Sequence, residues 1–199
     1  YVNMEEKGFN YDQFKQDIHV VVRAMDNVID RTIYPLPQQE AEAKAKRRMG
    51  LGVTGLANAA EMIGMPYASD EFMGFTEAVL TMLRDETYSC SADLAAEKGS
   101  FPLYDWQKYL ESKYVQTFPD WLKVKIESQG MRNSHLTSIA PTGTISLTAD
   151  NDSSGIEPPF ALFYARTIQQ FDGAQTERVK DYAYRHGVSG RTANEITAQ

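Results

Sequence analysis

The chain has 199 residues, 42% hydrophobic and 24% charged, which is the make-up of a soluble globular protein of one or two domains. Its net charge of −7 argues against a general nucleic-acid or membrane-surface partner, and no apolar run approaches the roughly 20 residues of a membrane span. Cys90 is the single cysteine, so an intramolecular disulfide framework is excluded and a reducing, cytoplasmic setting is expected.

Phe14, Ile18, Val21, Met25 and Val28 recur in steps of three and four, which predicts an amphipathic helix from Tyr11 to Asp30. Tyr34-Pro35-Leu36-Pro37 ends it, because proline disfavours helical geometry in the residue before it. A charged helix follows from about Gln38 to Arg48, with its basic residues in the last turn, where the helix dipole favours them. The run Lys44 to Arg48 reads as a solvated helix end or an internal salt-bridge face. Met49 to Val53 reads as a brief strand, and Thr54 as the cap of a small helix that stops at Gly64 and Pro66.

Ser69 or Asp70 opens the longest helix. Its expected core face is Phe72, Phe75, Val79, Met82 or Leu83, Cys90 and Leu94, and Gly99 stops it. Cys90 on that face is expected to be a buried structural thiol, since no basic residue is placed to activate it. Asp105 to Gln129 carries two further helical segments broken near Pro119, and Leu136 to Ala140 reads as a buried strand. Phe160 to Ile168 is expected to be a strand, and Glu177 to His186 a helix with Val179, Tyr182 and Ala183 inward. Helices alternating with short strands suggest an α/β fold.

Three stretches are candidates for chemistry. Gly50-Leu51-Gly52-Val53-Thr54-Gly55 matches the G-x-G-x-x-G pattern, but lysines and arginines precede it where a dinucleotide fold needs a strand core. Close packing where a strand turns into a helix is the stronger reading. The second stretch, Pro141-Thr142-Gly143-Thr144-Ile145-Ser146, places small hydroxyl residues around a glycine without the lysine of a P-loop. On spacing alone it is either a turn, the better-supported choice, or a cradle of backbone N–H groups for a phosphate. The third is Asn151-Asp152-Ser153-Ser154-Gly155, followed by Glu157, whose carboxylate reads as a cap for backbone N–H groups or, less well supported, as a catalytic group. His19, His135 and His186 are far apart and form no metal-ligand spacing.

Arg47 to Ala59 (RRMGLGVTGLANA), with YPLP upstream, Ala140 to Leu162 (APTGTISLTADNDSSGIEPPFAL) and Asp172 to Val188 (DGAQTERVKDYAYRHGV) together resemble the large, catalytic subunit of ribonucleotide reductase. The resemblance covers essentially the whole chain. It implies part of a ten-stranded α/β barrel of two half-barrels, in an enzyme that reduces ribonucleotides to deoxyribonucleotides through a cysteine thiyl radical. It also implies that the family's phosphate loop falls on Pro141, Thr142, Gly143, Thr144, Ile145 and Ser146. A ribonucleoside diphosphate is then the expected substrate. The rest of the catalytic subunit is an expected partner, and so is a radical generator: a diiron or dimanganese small subunit, or adenosylcobalamin.

One cysteine cannot serve both the radical and the reducing pair, and the family's Asn-x-Cys-x-Glu segment is missing from these 199 residues. The chain starts at Tyr1 and stops at TANEITAQ, and it is expected to be a piece of a longer polypeptide. Residues 1–199 would then form the C-terminal half-barrel portion, without the ATP-binding and effector regions, and be inactive alone. The alternatives are a non-catalytic nucleotide- or phosphate-binding module and a purely structural barrel fragment.

Overall fold

The structure, a computed structural model, describes residues 1–150, 152–171 and 173–188. In chain order the elements are β1 (Val2–Asn3), β2 (Gly8–Phe9), α1 (Tyr11–Arg31), α2 (Pro37–Lys46), α3 (Leu56–Met62), α4 (Asp70–Lys98) and α5 (Trp106–Leu110). A 3-10 turn (Val115–Thr117) comes next, then α6 (Asp120–Gln129), α7 (Gly143–Thr148), β3 (Phe163–Gln170), β4 (Gly173–Lys180) and α8 (Tyr182–Arg185). β1 with β2 and β3 with β4 form two antiparallel hairpins. Parallel pairing occurs at one bridge, Leu51 to Thr137. The described residues are therefore helix-rich with a few short strands, and they form no closed sheet.

The chain divides into two compact units. One holds Tyr1–Asn10, Gly52–Ala78 and the described residues from Ile139 onward; the other holds Tyr11–Leu51 and Val79–Ser138. α4 supplies its first residues, through Ala78, to the former and the remainder to the latter.

In the unit made by Tyr11–Leu51 and Val79–Ser138, Tyr88, Phe101, Phe118, Leu122, Ile126 and Met131 form the centre of an apolar core. The predicted core face of α4 is buried at Val79, Leu83, Cys90 and Leu94. The buried stripe of α1 differs from expectation: it is Phe14, Ile18, Val22 and Asp26, whereas Val21 and Val28 are exposed. Asp26 can sit on that stripe because Arg47 binds it. The Arg47 Nε and Nη2 lie 3.0 and 2.7 Å from Asp26 Oδ1, and Asn133 Nδ2 donates to the same oxygen at 2.9 Å. Arg132 adds an ion pair to Oδ2 at 3.3 Å. So the basic run is only partly a solvated helix end: Arg47 is 3% exposed and closes an ionic core. Lys44 and Lys46 pair with Glu40 and Glu42 along the surface of α2.

In the other unit, α3 buries Leu56, Ala57 and Ala60. Phe9 meets Phe75 edge-on at 5.4 Å, and Tyr67 packs on Phe72 at 4.3 Å. Ser69 caps α4 by accepting the Phe72 N–H at 3.2 Å. The helix predicted from Glu177 is a correction. Gly173–Lys180 is a strand, and only Tyr182–Arg185 is helical. The reason is Asp181, whose carboxylate accepts the amides of Ala183 and Tyr184 and so sets the helix start there. Residues before that cap are free to pair with β3 instead.

Candidate functional site

The Pro141 stretch and Asp152–Gly155 fall in the unit that carries α3; Asn151 lies outside the described residues. Thr54 is not the cap of α3, contrary to its sequence reading. The cap position is Gly55, held at φ 75°, where a side chain is strained. The Thr54 hydroxyl instead lies 2.8 Å from Asp152 Oδ1 and 3.0 Å from the Ser153 carbonyl. The Gly55 amide donates to that same carbonyl at 2.7 Å. A Cβ on Gly55 would stand 2.6 Å from Asp152 Oδ2, so the glycine leaves room for the carboxylate. The G-x-G-x-x-G stretch thus serves close packing: Leu51 bridges to Thr137 and Gly55 receives the Asp152 loop.

Asn58 fixes the other side of that loop. Its Oδ1 accepts the Ser153 amide at 2.6 Å, and its Nδ2 donates to both oxygens of Asp181 at 3.1 and 2.9 Å. Asn58, Ser153 and Asp181 are all buried. None of these three was selected from the sequence as a polar core residue. The readable signal was Asp181 standing immediately before a Tyr-Ala-Tyr run, which is an N-cap pattern.

The Pro141 loop is built onto this frame. Thr142 is held at two atoms. Its amide donates to Ser154 Oγ at 2.9 Å, while its Oγ1 accepts the Gly155 amide at 2.7 Å and reaches Thr54 Oγ1 at 3.2 Å. Gly155 has φ 52°, and a Cβ there would stand 2.8 Å from the Ala140 carbonyl, so this tight approach also requires glycine. α7 then starts at Gly143. Ser146 is buried; its amide donates to the Thr142 carbonyl at 2.7 Å and its hydroxyl to the Gly143 carbonyl at 3.2 Å.

The six residues therefore divide. Thr142 spends its hydroxyl on Gly155 and Thr54, and Ser146 spends its own inside the loop. Pro141, Gly143, Thr144 and Ile145 are exposed. Among the described residues, the amides of Gly143, Thr144 and Ile145 and the Thr144 hydroxyl make no hydrogen bond. These are the first-turn donors that a helix leaves unsatisfied.

The two acidic candidates differ. Burial pushes the Asp152 carboxyl above the ordinary aspartate value; the Thr54 hydroxyl opposes the rise, and Asp150 and Asp181 add to it. Glu157 is exposed, and among the described residues its carboxylate caps no backbone amide; only its own amide is engaged, with the Ser154 carbonyl at 2.8 Å. Cys90 is buried at 4% exposure, and burial pushes its thiol up to about 11. Among the described residues no three His, Cys, Asp or Glu side chains are grouped to hold a metal ion, and no helix is long and apolar enough to cross a membrane.

The Pro141 stretch is thus a hydroxyl-framed loop that leaves three amides open in a helix-rich chain. Residues 1–192 match the family model for the ribonucleotide reductase barrel domain, and the chain belongs to that family. It is 35% identical over 159 residues to a vitamin B12-dependent ribonucleoside-diphosphate reductase of Mycobacterium tuberculosis, an alignment covering 80% of this chain and 20% of that protein. A ribonucleoside-diphosphate reductase subunit alpha of Treponema pallidum is 30% identical over 158 residues, covering 76% of this chain and 19% of that protein. The ribonucleoside-diphosphate reductase large subunit of Danio rerio is 28% identical over 206 residues, covering 98% of this chain and 26% of that protein. The chain thus spans about a fifth to a quarter of the length of these relatives.

Proposed function

We propose that this chain is a segment of the ten-stranded barrel of a ribonucleoside-diphosphate reductase catalytic subunit, and that its Pro141 loop grips the 5′ phosphates of the ribonucleotide. The observation that carries the reading is the row of open donors at Gly143, Thr144 and Ile145, with the Thr144 hydroxyl beside them. Amides and hydroxyls hold phosphate oxygens through charge-assisted hydrogen bonds without a lysine. Gly143, Thr144 and Ile145 are the ligands in this reading. Pro141 leads into them, and Thr142 and Ser146 keep the shape.

The segment is inactive alone. Its single cysteine is buried, and one cysteine cannot supply both the radical thiol and a separate reducing pair. The chemistry belongs to the rest of a longer catalytic subunit and to a radical generator, either a metal-bearing small subunit or adenosylcobalamin. The name of the Mycobacterium tuberculosis relative, which specifies vitamin B12, supports the latter.

Calorimetry with a ribonucleoside diphosphate and its parent nucleoside tests the loop. The diphosphate is expected to bind and the nucleoside to bind far more weakly. Thr144→Ala is expected to weaken diphosphate binding about tenfold, the worth of one hydrogen bond to a charged group, and Thr144→Ser to restore it. Equal affinity for the two ligands, or indifference to Thr144→Ala, rejects the phosphate role. Absence of any binding favours the purely structural fragment.

A further inference from the structure

The Thr54 hydroxyl has one proton and three oxygen neighbours: Asp152 Oδ1 at 2.8 Å, the Ser153 carbonyl at 3.0 Å and Thr142 Oγ1 at 3.2 Å. A carbonyl can only accept, and so can an ionised carboxylate. The Thr54 proton therefore points toward Asp152 and Ser153, and its lone pairs are left to accept from Thr142. Thr142 Oγ1 in turn accepts the Gly155 amide at 2.7 Å. The polarity of the whole chain is set from one end: Gly155 N–H to Thr142, Thr142 O–H to Thr54, Thr54 O–H to Asp152.

We propose that Thr54 and Asp152 are positioning residues of the Pro141 loop, aligning its open amides through a one-way hydroxyl relay that ends on the Asp152 carboxylate. The proposal rests on the phosphate reading of that loop and adds what holds the loop in a binding geometry. With its amide on Ser154 and its hydroxyl locked into the relay, Thr142 cannot rotate, and the three amides that follow it share one direction. The relay also fixes what Thr142 does not do. Its only hydroxyl proton is directed to Thr54, so it does not donate to a ligand oxygen.

The Gly155 N–H donates to Thr142 Oγ1 and so reports the relay without any ligand. The test is amide hydrogen exchange on the 199-residue chain, read beside calorimetry with a ribonucleoside diphosphate. Thr54→Val keeps the shape and removes the hydroxyl; Thr54→Ser keeps the hydroxyl. In Thr54→Val the Gly155 amide is expected to exchange about tenfold faster, the worth of one hydrogen bond, with the Ile63 amide at the end of α3 unchanged, and diphosphate affinity is expected to fall. Thr54→Ser is expected to restore both. Thr142→Val and Thr142→Ser repeat the pair from the other end of the relay, should Thr54→Val fail to fold. Asp152→Ala combined with Thr54→Val is expected to cost no more than Thr54→Val alone.

An unprotected Gly155 amide in the unsubstituted chain, a Thr54→Ser variant no better than Thr54→Val, or additive losses in the double variant overturns the relay. If Gly155 protection follows the hydroxyls while no variant alters diphosphate binding, the relay stands as a structural device and its role in positioning the amides is rejected. If the unsubstituted chain binds no diphosphate, the phosphate reading fails, and the Gly155 exchange pattern still decides whether the relay exists.

Discussion

Asp26 is a fully buried carboxylate and Asp152 a partly buried one, and the protein treats them in opposite ways. Asp26 is fully buried and surrounded by Arg47, Arg132 and Asn133, with Lys98 at 3.6 Å. Asp152 has the Thr54 hydroxyl, and no basic group appears among the influences on its charge. The first arrangement is what a buried charge needs in order to fold at all. The second leaves a carboxyl that holds its proton more tightly than an ordinary aspartate, one hydroxyl away from the loop proposed to hold an anion. A region built for stability compensates its charge fully, whereas the region proposed to bind uses directional, uncharged groups and keeps its donors open.

The comparison breaks most visibly at Arg47. Arg47→Met removes both bonds to Asp26 Oδ1 and the 2.7 Å pair with Asp30. Leaving the buried carboxylate to Arg132, Lys98 and Asn133 is expected to cost about 3 kcal/mol, read as a lower urea midpoint for the unit that holds it. Asp26→Asn in that background is expected to recover part of the loss. If Arg47→Met leaves the midpoint unchanged, the ionic core is not what holds α1.

Asn58 is the next step down, in the region with few charges. Asn58→Ala removes two donors from Asp181 and the acceptor of the Ser153 amide, an expected loss of about 2–3 kcal/mol. The same variant is expected to loosen the Asp152 loop and so speed exchange of the Gly155 amide. Stability loss without that local change would mean that Asn58 supports α8 and not the loop.

These two networks also mark where the sequence stopped being legible. α1 and α4 were readable because burial follows the 3.6-residue period, and Phe72, Phe75, Leu83 and Leu94 fell inside as expected. Asp26 broke the reading of α1. It continues the i, i+4 series of Phe14, Ile18 and Val22, but a carboxylate is not counted as core when its partners are unknown, and Arg132 and Asn133 lie 106 and 107 residues away. The Pro141 loop was legible as composition and not as geometry. Thr142, Thr144 and Ser146 look alike in a string of letters; contacts 13 and 88 residues distant commit the Thr142 hydroxyl, one 3 residues away commits that of Ser146, and that of Thr144 is left open. β4 was missed because the capping strength of Asp181 was outweighed by a helical reading of its neighbours.

Gly55→Ala tests the boundary of the Asp152 region by sterics. Its φ of 75° alone is expected to cost about 1–2 kcal/mol, and the new Cβ also meets Asp152 Oδ2. In an Asp152→Gly background the steric part disappears and the backbone part remains, so Gly55→Ala is expected to be milder there. The same cost in both backgrounds would show that Asp152 does not press on Gly55.

The smallest effects are the pH responses, and they carry opposite signs. Asp152 has a raised carboxyl in the folded chain because burial disfavours its charge. The folded state therefore binds its proton more tightly than the unfolded state, and stability falls as pH rises from the ordinary aspartate value through the folded one. Glu86 goes the other way. Burial pushes its carboxyl up, but hydrogen bonds from Lys15 at 2.7 Å and His19 at 2.9 Å outweigh burial and hold it below the ordinary glutamate value. Its contribution is present above that ordinary value and is lost as pH falls through the lowered one. Asp152→Asn should flatten the first slope and Glu86→Gln the second, each followed as melting temperature against pH in the acid range. Lys15 is half-exposed, so Lys15→Met is expected to cost about 0–1 kcal/mol and to move the Glu86 slope without touching that of Asp152. A Lys15→Met chain whose acid slopes both shift would mean that the two carboxylates respond as one, and the contrast between a compensated and an uncompensated carboxylate would fail at its weakest point.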